Sequence, residues 1–396
     1  MSLQNNYQIH SVEASNVRDS YSEFDTVDFD LEFDGRALVC GSVRLNFEYR
    51  VLEGTAELAG NERIAFDGKI GGNAFFSSYN SSFQNVGLVE NLVEAPRYHA
   101  MVANGSLAQD DLLAAQYVCE GRSPDVQVQR QNSQMRIVSD LGGGAAGTAR
   151  NQHNGSGQAG NAVERGEDKV RPDCSIKPLI ALNNVVGANK LLNYSTSGQV
   201  RISVNLERDN VVLYGEDVGA NTTYSLNNIR VSFASVPEPS VQLPIQMKAH
   251  LCLKSTINSS LANISSKVPA VCDGVSISFL TQNREVATQF KNTELEKLPS
   301  VAKVRYMFND STSQYISYEL KRIPDIIHEG VKQMNKNNER TMCRADLLSA
   351  NKSFMMGLDF GESIDLSKQK FAVSIENDQP INPLLMYAYY SSLISL

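Results

Sequence analysis

Apolar and polar residues alternate along many short stretches of this chain. In the first half the alternation covers residues 43–51, 200–206 and 229–233, and a turn at 209–210 leads into a further run at 211–214. Successive side chains of a β-strand point to opposite faces of its sheet, so alternation predicts strands with one buried and one exposed face. We therefore expect a first half that is rich in strands.

The second half repeats this pattern at residues 275–279, 316–320 and 371–375. The last apolar run, LLMYAYYSSLISL at residues 384–396, carries apolar side chains on both faces. A strand has that composition where both of its faces are covered. The run therefore predicts a final strand that is buried on both sides.

Helical periodicity is confined to two short segments. Ser106 and Gln109 have the spacing of a capping box at the start of residues 106–119, and the second segment covers residues 325–335. Neither segment is long enough to cover a sheet, which disfavours alternating β and α units. The fold class that we predict is all-β, with β-sandwiches and short helices in the loops.

The chain is long enough for two domains of similar size, with 396 residues of which 42% are hydrophobic. Pro237, Pro239 and Pro244 follow the strand-like run at 229–233, and proline interrupts the hydrogen bonds of a sheet. We therefore expect one domain at 1–235 and a second at 236–396. Residues 141–173 are rich in Gly, Asn and charge, which predicts a mobile loop within the first domain.

The charge balance is acidic, with a formal net charge of -8. Because the chain has no run of Lys and Arg, we expect no direct sequence-specific binding of nucleic acid. The N-terminus lacks the pattern of a signal peptide, and the run at 384–396 is too short to span a bilayer, which predicts a soluble chain made inside a cell. Six cysteines without C-x-x-C spacing predict buried free thiols rather than disulfides or a zinc site.

One glycine-rich motif has the spacing of a dinucleotide-binding loop. Gly142, Gly144 and Gly147 follow a strand-like segment, and Glu164 or Glu167 lies about where a ribose-binding acid would be. Such a loop holds the pyrophosphate at the N-terminus of a helix, and the residues after these glycines are poor helix formers. A plain glycine-rich loop is the favoured interpretation.

Two histidine patterns fall short of a metal site. His328-Glu329 begins a zinc-protease motif, but the second histidine is replaced by Lys332, whose charge has the wrong sign for a zinc ligand. His250 and Cys252 alternate onto one strand face, which supplies only two ligands. Packing is the favoured interpretation of both patterns.

Acidic residues are concentrated on one face of residues 27–34, namely Asp28, Asp30, Glu32 and Asp34. Neighbouring side chains on one face of a strand lie roughly 6–7 Å apart, which is too far for a compact calcium site without help from a loop. A solvated or interface-facing edge strand is the favoured interpretation, because charge also protects an edge from unwanted pairing.

A second acidic set consists of Asp359, Glu362 and Asp365, and a glycosidase needs a pair of carboxylates. The chain has no Trp and no evident aromatic platform for a sugar ring. It also lacks the sequence context of a catalytic nucleophile. We therefore predict no enzymatic activity and no catalytic, cofactor-binding or metal-binding residues.

With these strands placed, the order of motifs resembles the double-jelly-roll major capsid proteins of tailless icosahedral double-stranded DNA viruses, such as virophages and polinton-like viruses. The segment at 70–76, followed by 84–87, Glu90 and Arg97-Tyr98, is similar to part of their first jelly roll. Residues 177–182 and the strands up to 233 resemble its closing strands. Residues 357–377 and LLMYAYY resemble the last strands of the second roll.

The resemblance implies two consecutive eight-stranded jelly rolls and three copies that form a pseudo-hexameric capsomer of a virion shell. It implies as partners the chain itself, minor capsid and vertex proteins, and leaves an internal membrane open. No cofactor is implied. The loop at 141–173 would be a tower or an arm that a neighbouring copy orders.

Two other functions stay open at this point. One is a virion vertex protein, which would carry strands of jelly-roll type in only one half. The other is a carbohydrate-binding or carbohydrate-cleaving β-sandwich that uses Asp359 and Glu362.

Overall fold

The computed structural model describes residues 6–57, 70–106, 120, 163–165, 168–170, 173–213, 218–241, 243–268, 270–281, 295, 301–309, 315–334, 354–377 and 383–396. Most of these residues lie in strands, which confirms the predicted all-β class. The strands are β1 (Gln8–Glu13), β2 (Thr26–Leu31), β3 (Arg36–Val39), β4 (Arg44–Glu53), β5 (Ala56–Glu57), β6 (Phe76–Phe83), β7 (Gly87–Val93), β8 (Val163–Arg165), β9 (Asp168–Val170), β10 (Asp173–Ile176), β11 (Val185–Val186), β12 (Leu191–Asn193), β13 (Val200–Leu206), β14 (Thr222–Pro237), β15 (Gln246–Ile257), β16 (Leu261–Ser266), β17 (Val271–Thr281), β18 (Val301–Asn309), β19 (Tyr315–Leu320), β20 (Met356–Asp365), β21 (Lys370–Asn377) and β22 (Leu384–Ser395).

Helices are few and short in the described part of the chain. The α-helices are α1 (Ala95–Ser106), α2 (Tyr194–Ser197), α3 (Asp209–Val212) and α4 (Ile323–Met334), with 3-10 turns at Gly71–Phe75 and Ala181–Asn183. Helix α4 confirms the helix predicted at 325–335. Helix α1 was not predicted, and it ends at Ser106, where the other predicted helix would begin; residues 107–119 lie outside the described residues.

Eight strands of the first half form a sandwich of two antiparallel sheets. One sheet has the order β1-β14-β4-β10 and the other β2-β13-β6-β7. These eight strands are numbered 1 to 8 along the chain as β1, β2, β4, β6, β7, β10, β13 and β14. In that numbering the two sheets have the orders 1-8-3-6 and 2-7-4-5, which is the two-sheet arrangement of a jelly roll. The shorter strands β3, β5 and β12 extend the first sheet.

The second half repeats the same arrangement with strands β15 to β22. One sheet has the order β15-β22-β17-β20, and the other has the order β16-β21-β18-β19. These are again the orders 1-8-3-6 and 2-7-4-5. The described residues therefore form two consecutive eight-stranded jelly rolls, as the resemblance to the capsid proteins implied.

Alternating burial explains why these segments form strands. The four residues of β4 that face the core, Leu45, Phe47, Tyr49 and Val51, are at most 2% exposed, whereas the residues between them are partly exposed. Strands β13 and β21 show the same period of two. Burying one apolar face of each strand stabilises the sandwich by about 25 cal/mol for every square ångström removed from water.

One predicted strand is wrong. Residues 209–212 form helix α3 instead of continuing into a strand from Val211. Two hydrogen bonds hold this turn. The side chain of Asp209 accepts the backbone N–H of Tyr224, and the backbone carbonyl of Asp209 accepts the backbone N–H of Leu213. Val211, Val212 and Leu213 are all buried, so burial does not alternate here as it would on a strand.

Replacing Asp209 by Asn is expected to raise the free energy of unfolding by about 1 kcal/mol at pH 8 and to change it little at pH 4. Burial raises the pKa of the Asp209 carboxyl to about 6, above its ordinary value, so stability is lost as the pH rises through about 6. Asn keeps the acceptor for the Tyr224 N–H without the charge. Urea midpoints at both pH values test this, with exposed Asp34→Asn as the control.

Two predictions concern the loop at 141–173 and the boundary between the domains. Of the loop predicted at 141–173, only the hairpin β8–β9 and Asp173 are described; the remainder lies outside the described residues. At the expected boundary between the domains, β14 ends at Pro237 and β15 begins at Gln246. The division into 1–235 and 236–396 stays a prediction.

Candidate functional site: the junction between the two jelly rolls

The two jelly rolls are joined through a continuous sheet. Strand β7, at the end of one sheet of the first roll, lies parallel to β15 of the second roll, with Asn91 opposite Leu251. The joined sheet runs β2-β13-β6-β7-β15-β22-β17-β20. Helix α1, which follows β7, contacts the second roll beside helix α4. We call this region, formed by β7, α1 and the strands that they contact, the junction.

Glu90 on β7 connects both rolls at the centre of the junction. Its carboxylate accepts the backbone N–H of Ala181 at 2.6 Å and the backbone N–H of His250, on β15, at 2.9 Å. The side chain is buried, and the His250 Nδ1 atom lies 3.6 Å from its Oε1 atom. Hydrogen bonds to a charged acceptor away from water are stronger than those between neutral groups. Glu90 therefore fixes the position of β15 against β7.

Arg97 extends from helix α1 into the second roll. Its side chain is completely buried and donates from Nη1 to the carbonyl oxygen of Phe279 on β17, at 3.5 Å. The guanidinium carbon also lies 4.7 Å from the ring centre of Tyr387 on β22. A cation above an aromatic face is attracted by the ring's negative charge density. This side chain thus ties α1 to two strands of the second roll.

Aromatic side chains fill the space around these charges. The ring of Tyr98 lies 4.6 Å from that of His250 and 5.0 Å from that of Tyr389, between centroids. The Tyr389 hydroxyl donates to the Glu94 carbonyl at 3.0 Å, and Glu94 has a φ of 55°, in the left-handed region. Burial raises the pKa of Tyr389 well above its ordinary value, so the hydroxyl remains a donor. It fixes the bend between β7 and α1.

Helix α4 covers the same sheet at close range. A Cβ atom at Gly330 would lie 2.9 Å from the backbone of Met356, and one at Gly357 would lie 2.5 Å from the carbonyl oxygen of Val275. Only glycine allows this approach of helix and strands. Strand β22 of this sheet has both faces buried along Leu384–Ser391, with Arg97 and Tyr98 of α1 against Tyr387 and Tyr389, which confirms its prediction as a doubly covered final strand.

Of the two predicted histidine patterns, only the pair His250 and Cys252, both on β15, belongs to the junction. Burial raises the pKa of the neighbouring Cys252 thiol to about 12, so it is a poor metal ligand. Glu329 and Lys332 form an ion pair of 3.7 Å on α4. No group of three or more metal-ligating side chains occurs within the described residues. Four cysteines are buried and free, as predicted: Cys40, Cys174, Cys252 and Cys272.

The acidic residues of 27–34 lie at the far end of the joined sheet. Strand β2 is the last strand there, and Arg201 on β13 donates to Asp30 at 2.9 Å. This hydrogen bond lowers the pKa of the Asp30 carboxyl. Asp28 accepts a hydrogen bond from Ser203. Asp28 and Asp30 are thus paired with side chains of the neighbouring strand β13.

The second acidic set is spread along β20. Asp359 accepts a hydrogen bond from the backbone N–H of Gly361 at 2.8 Å. Asp365 accepts a hydrogen bond from the backbone N–H of Ser367 at 3.0 Å and forms an ion pair of 3.0 Å with Lys368. Each of these two carboxylates is engaged in its own local turn. Of the glycine motif, Gly142, Gly144, Gly147 and Glu167 lie outside the described residues, and Glu164 is in β8.

The sequence did not single out Glu90 or Arg97 as buried charges. Both occur in the segment that carries the resemblance, but nothing in their spacing shows that they face another roll. The available signal is a charged residue inside a mostly apolar stretch, LVENLV for Glu90.

In the described part of the chain, no helix is long and apolar enough to cross a membrane.

Comparisons with known proteins agree with this architecture. No protein-family model and no curated protein matches the sequence. The Faustovirus major capsid protein aligns over 98% of this chain and 90% of its own, with 10% identity and a TM-score of 0.52. PBCV-1 VP54, fitted into a reconstruction of the virophage Sputnik, aligns over 99% and 95%, with 8% identity and a TM-score of 0.51.

The chain has the double-jelly-roll fold of viral major capsid proteins. Both alignments span nearly the whole chain, so the similarity includes both rolls and is not confined to one of them. In this chain the two rolls meet at the junction, where the buried Glu90 and Arg97 side chains contact strands of the second roll.

Proposed function

We propose that the chain is a structural, non-enzymatic major capsid protein that trimerises into pseudo-hexameric capsomers of an icosahedral shell. The observation that carries this proposal is the repetition of one strand order in two rolls that are joined edge to edge. Three copies of such a chain supply six similar units, the number that a hexagonal lattice position requires. The fold shared with major capsid proteins supports the same function.

The chemistry of the described residues is consistent with such a role. Buried charges contact both rolls at the junction, and Asp30 and Asp359 of the two acidic sets are engaged in a local ion pair and a local turn. The proposed partners are other copies of the chain and the minor capsid and vertex proteins, with the virion shell as the location. An acidic chain without a basic run favours contacts with protein over direct contacts with the genome. An internal membrane is left open.

Neither alternative has an observation in its favour. A vertex protein would have a jelly roll in one half, whereas both halves form one here. A sugar-cleaving site would need Asp359 and Glu362 to face each other across a cleft. Asp359 instead accepts the backbone N–H of Gly361 in its own turn, and Glu362 is exposed on β20.

The solution mass of the purified chain, measured by light scattering and followed by negative-stain imaging of the same peak, tests the proposal. We expect a mass three times that of the chain and particles with a six-sided outline. A monomer that persists over the whole accessible concentration range would contradict the proposal.

A further inference from the structure

One edge of the first roll exposes several large apolar side chains. Tyr7, Ile9, Val17 and Phe24 are 52%, 76%, 70% and 69% exposed, and all lie within or next to β1 and the loop that follows it. Within the described part of the chain, β1 is hydrogen-bonded to β14 on one side and to no strand on the other. An open strand edge with apolar side chains is a site for pairing with another chain.

The equivalent edge of the second roll is covered by the first roll. Strand β15 occupies the same place in its roll as β1, because each is the first strand and pairs with the eighth. The other side of β15 lies against β7, the fifth strand of the first roll, through the junction. The fifth strand of the second roll is β19, which ends its own sheet in the described structure.

We propose that β19 of a second copy lies along the open edge of β1, so that the contact between copies repeats the junction within the chain. This inference rests on the proposed trimer, because in a ring of six similar rolls every roll meets its neighbour in a similar way. Strand pairing across edges is a common mode of association. Apolar side chains beside the edge, Ile9 above all, would then be removed from water.

The charges at the ends of the two strands fit this arrangement. Strands β7 and β15 are parallel, so β1 and β19 would also be parallel and their C-terminal ends would meet. Strand β1 ends at Glu13, which is exposed, and β19 is followed by Lys321, whose side chain is 71% exposed. The next residue, Arg322, is paired with Asp325. Opposite charges across an interface favour the correct partner and alignment.

A single charge on the edge tests the inference. Ile9→Asp is expected to move the concentration at which half of the chain is trimeric at least tenfold upward, measured by light scattering across a dilution series. Leu261→Asp is the matched control, because Leu261 is 55% exposed and begins β16, at the opposite end of the sheet from β19. Far-ultraviolet circular dichroism checks that both variants fold.

The outcomes separate this inference from the proposed function. A wild-type trimer that is weakened by Ile9→Asp and not by Leu261→Asp supports both. A wild-type trimer that Ile9→Asp leaves unchanged overturns the β1 edge as the contact and leaves the proposed function standing. A wild-type chain that stays monomeric overturns both.

A charge exchange tests the alignment of the strands independently. Glu13→Lys and Lys321→Glu are each expected to weaken the trimer, and the double variant is expected to recover at least half of the loss. Lys321→Glu also removes the 3.2 Å ion pair between Lys321 and Glu319. This pair is lost in the single and in the double variant alike, so its effect cancels when those two variants are compared. If the trimer of the double variant is no more stable than that of the less stable single variant, the parallel arrangement is overturned.

Discussion

Replacing Arg97 by alanine is expected to lower the free energy of unfolding by about 4 kcal/mol. The variant removes a completely buried side chain and leaves a cavity between α1 and the sheet of the second roll, which typically costs about 2–5 kcal/mol. It also leaves the Phe279 carbonyl without this donor, and removes the contact with the Tyr387 ring. Urea unfolding at one fixed protein concentration measures the change.

Arg201→Ala is the control for this experiment. Arg201 is 56% exposed and pairs with Asp30 on the surface, an interaction that contributes about 0–1 kcal/mol. Equal and small shifts of the urea midpoint in both variants would show that Arg97 does not hold the rolls together. Arg97→Lys should recover little of the loss, because a lysine ammonium lacks the planar fork that lies against the ring.

Replacing Glu90 by Gln is expected to lower the free energy of unfolding by about 2–3 kcal/mol, although the side chain keeps its size. The carboxylate accepts one backbone N–H on each oxygen, from Ala181 and from His250. An amide offers one oxygen and directs its NH₂ group at the other donor. Amide hydrogen exchange at Ala181 and His250, together with the urea midpoint, measures the effect.

The matched control is Glu13→Gln, measured at a concentration at which the chain is monomeric. Glu13 is exposed, so the same change of charge should alter stability by less than about 0.5 kcal/mol. Unchanged exchange at His250 in Glu90→Gln would mean that this carboxylate does not fix β15 in place.

Strands such as β4, β13 and β21 could be predicted because their burial alternates, and alternation is written into the local order of residues. Helix α4 could also be predicted from its local sequence, because helical periodicity places Ile326, Ile327 and Val331 on one buried face. In these elements, the residues that face the core can be identified without knowing what they pack against.

The junction could not be predicted in this way. Whether Glu90 and Arg97 are buried depends on residues more than 90 positions away, on β15 and β17. Helix α1 escaped detection because APRYHAMVANGS contains Pro96 and Gly105 and packs polar as well as apolar side chains. Helix α3 forms in place of a strand because the side chain of Asp209 accepts a hydrogen bond from the backbone of Tyr224, which is on β14. In each case a contact with a distant segment overrides the local pattern.

The covalent link between the rolls has a consequence for the thermodynamics of assembly. Because β7 and β15 belong to one polypeptide, the effective concentration of one roll around the other is set by the intervening chain and does not fall on dilution. In the proposed ring, every second contact would thus form during folding, without loss of translational and rotational freedom between separate molecules. A capsomer built from such fused rolls therefore requires fewer bimolecular encounters than one built from six single rolls.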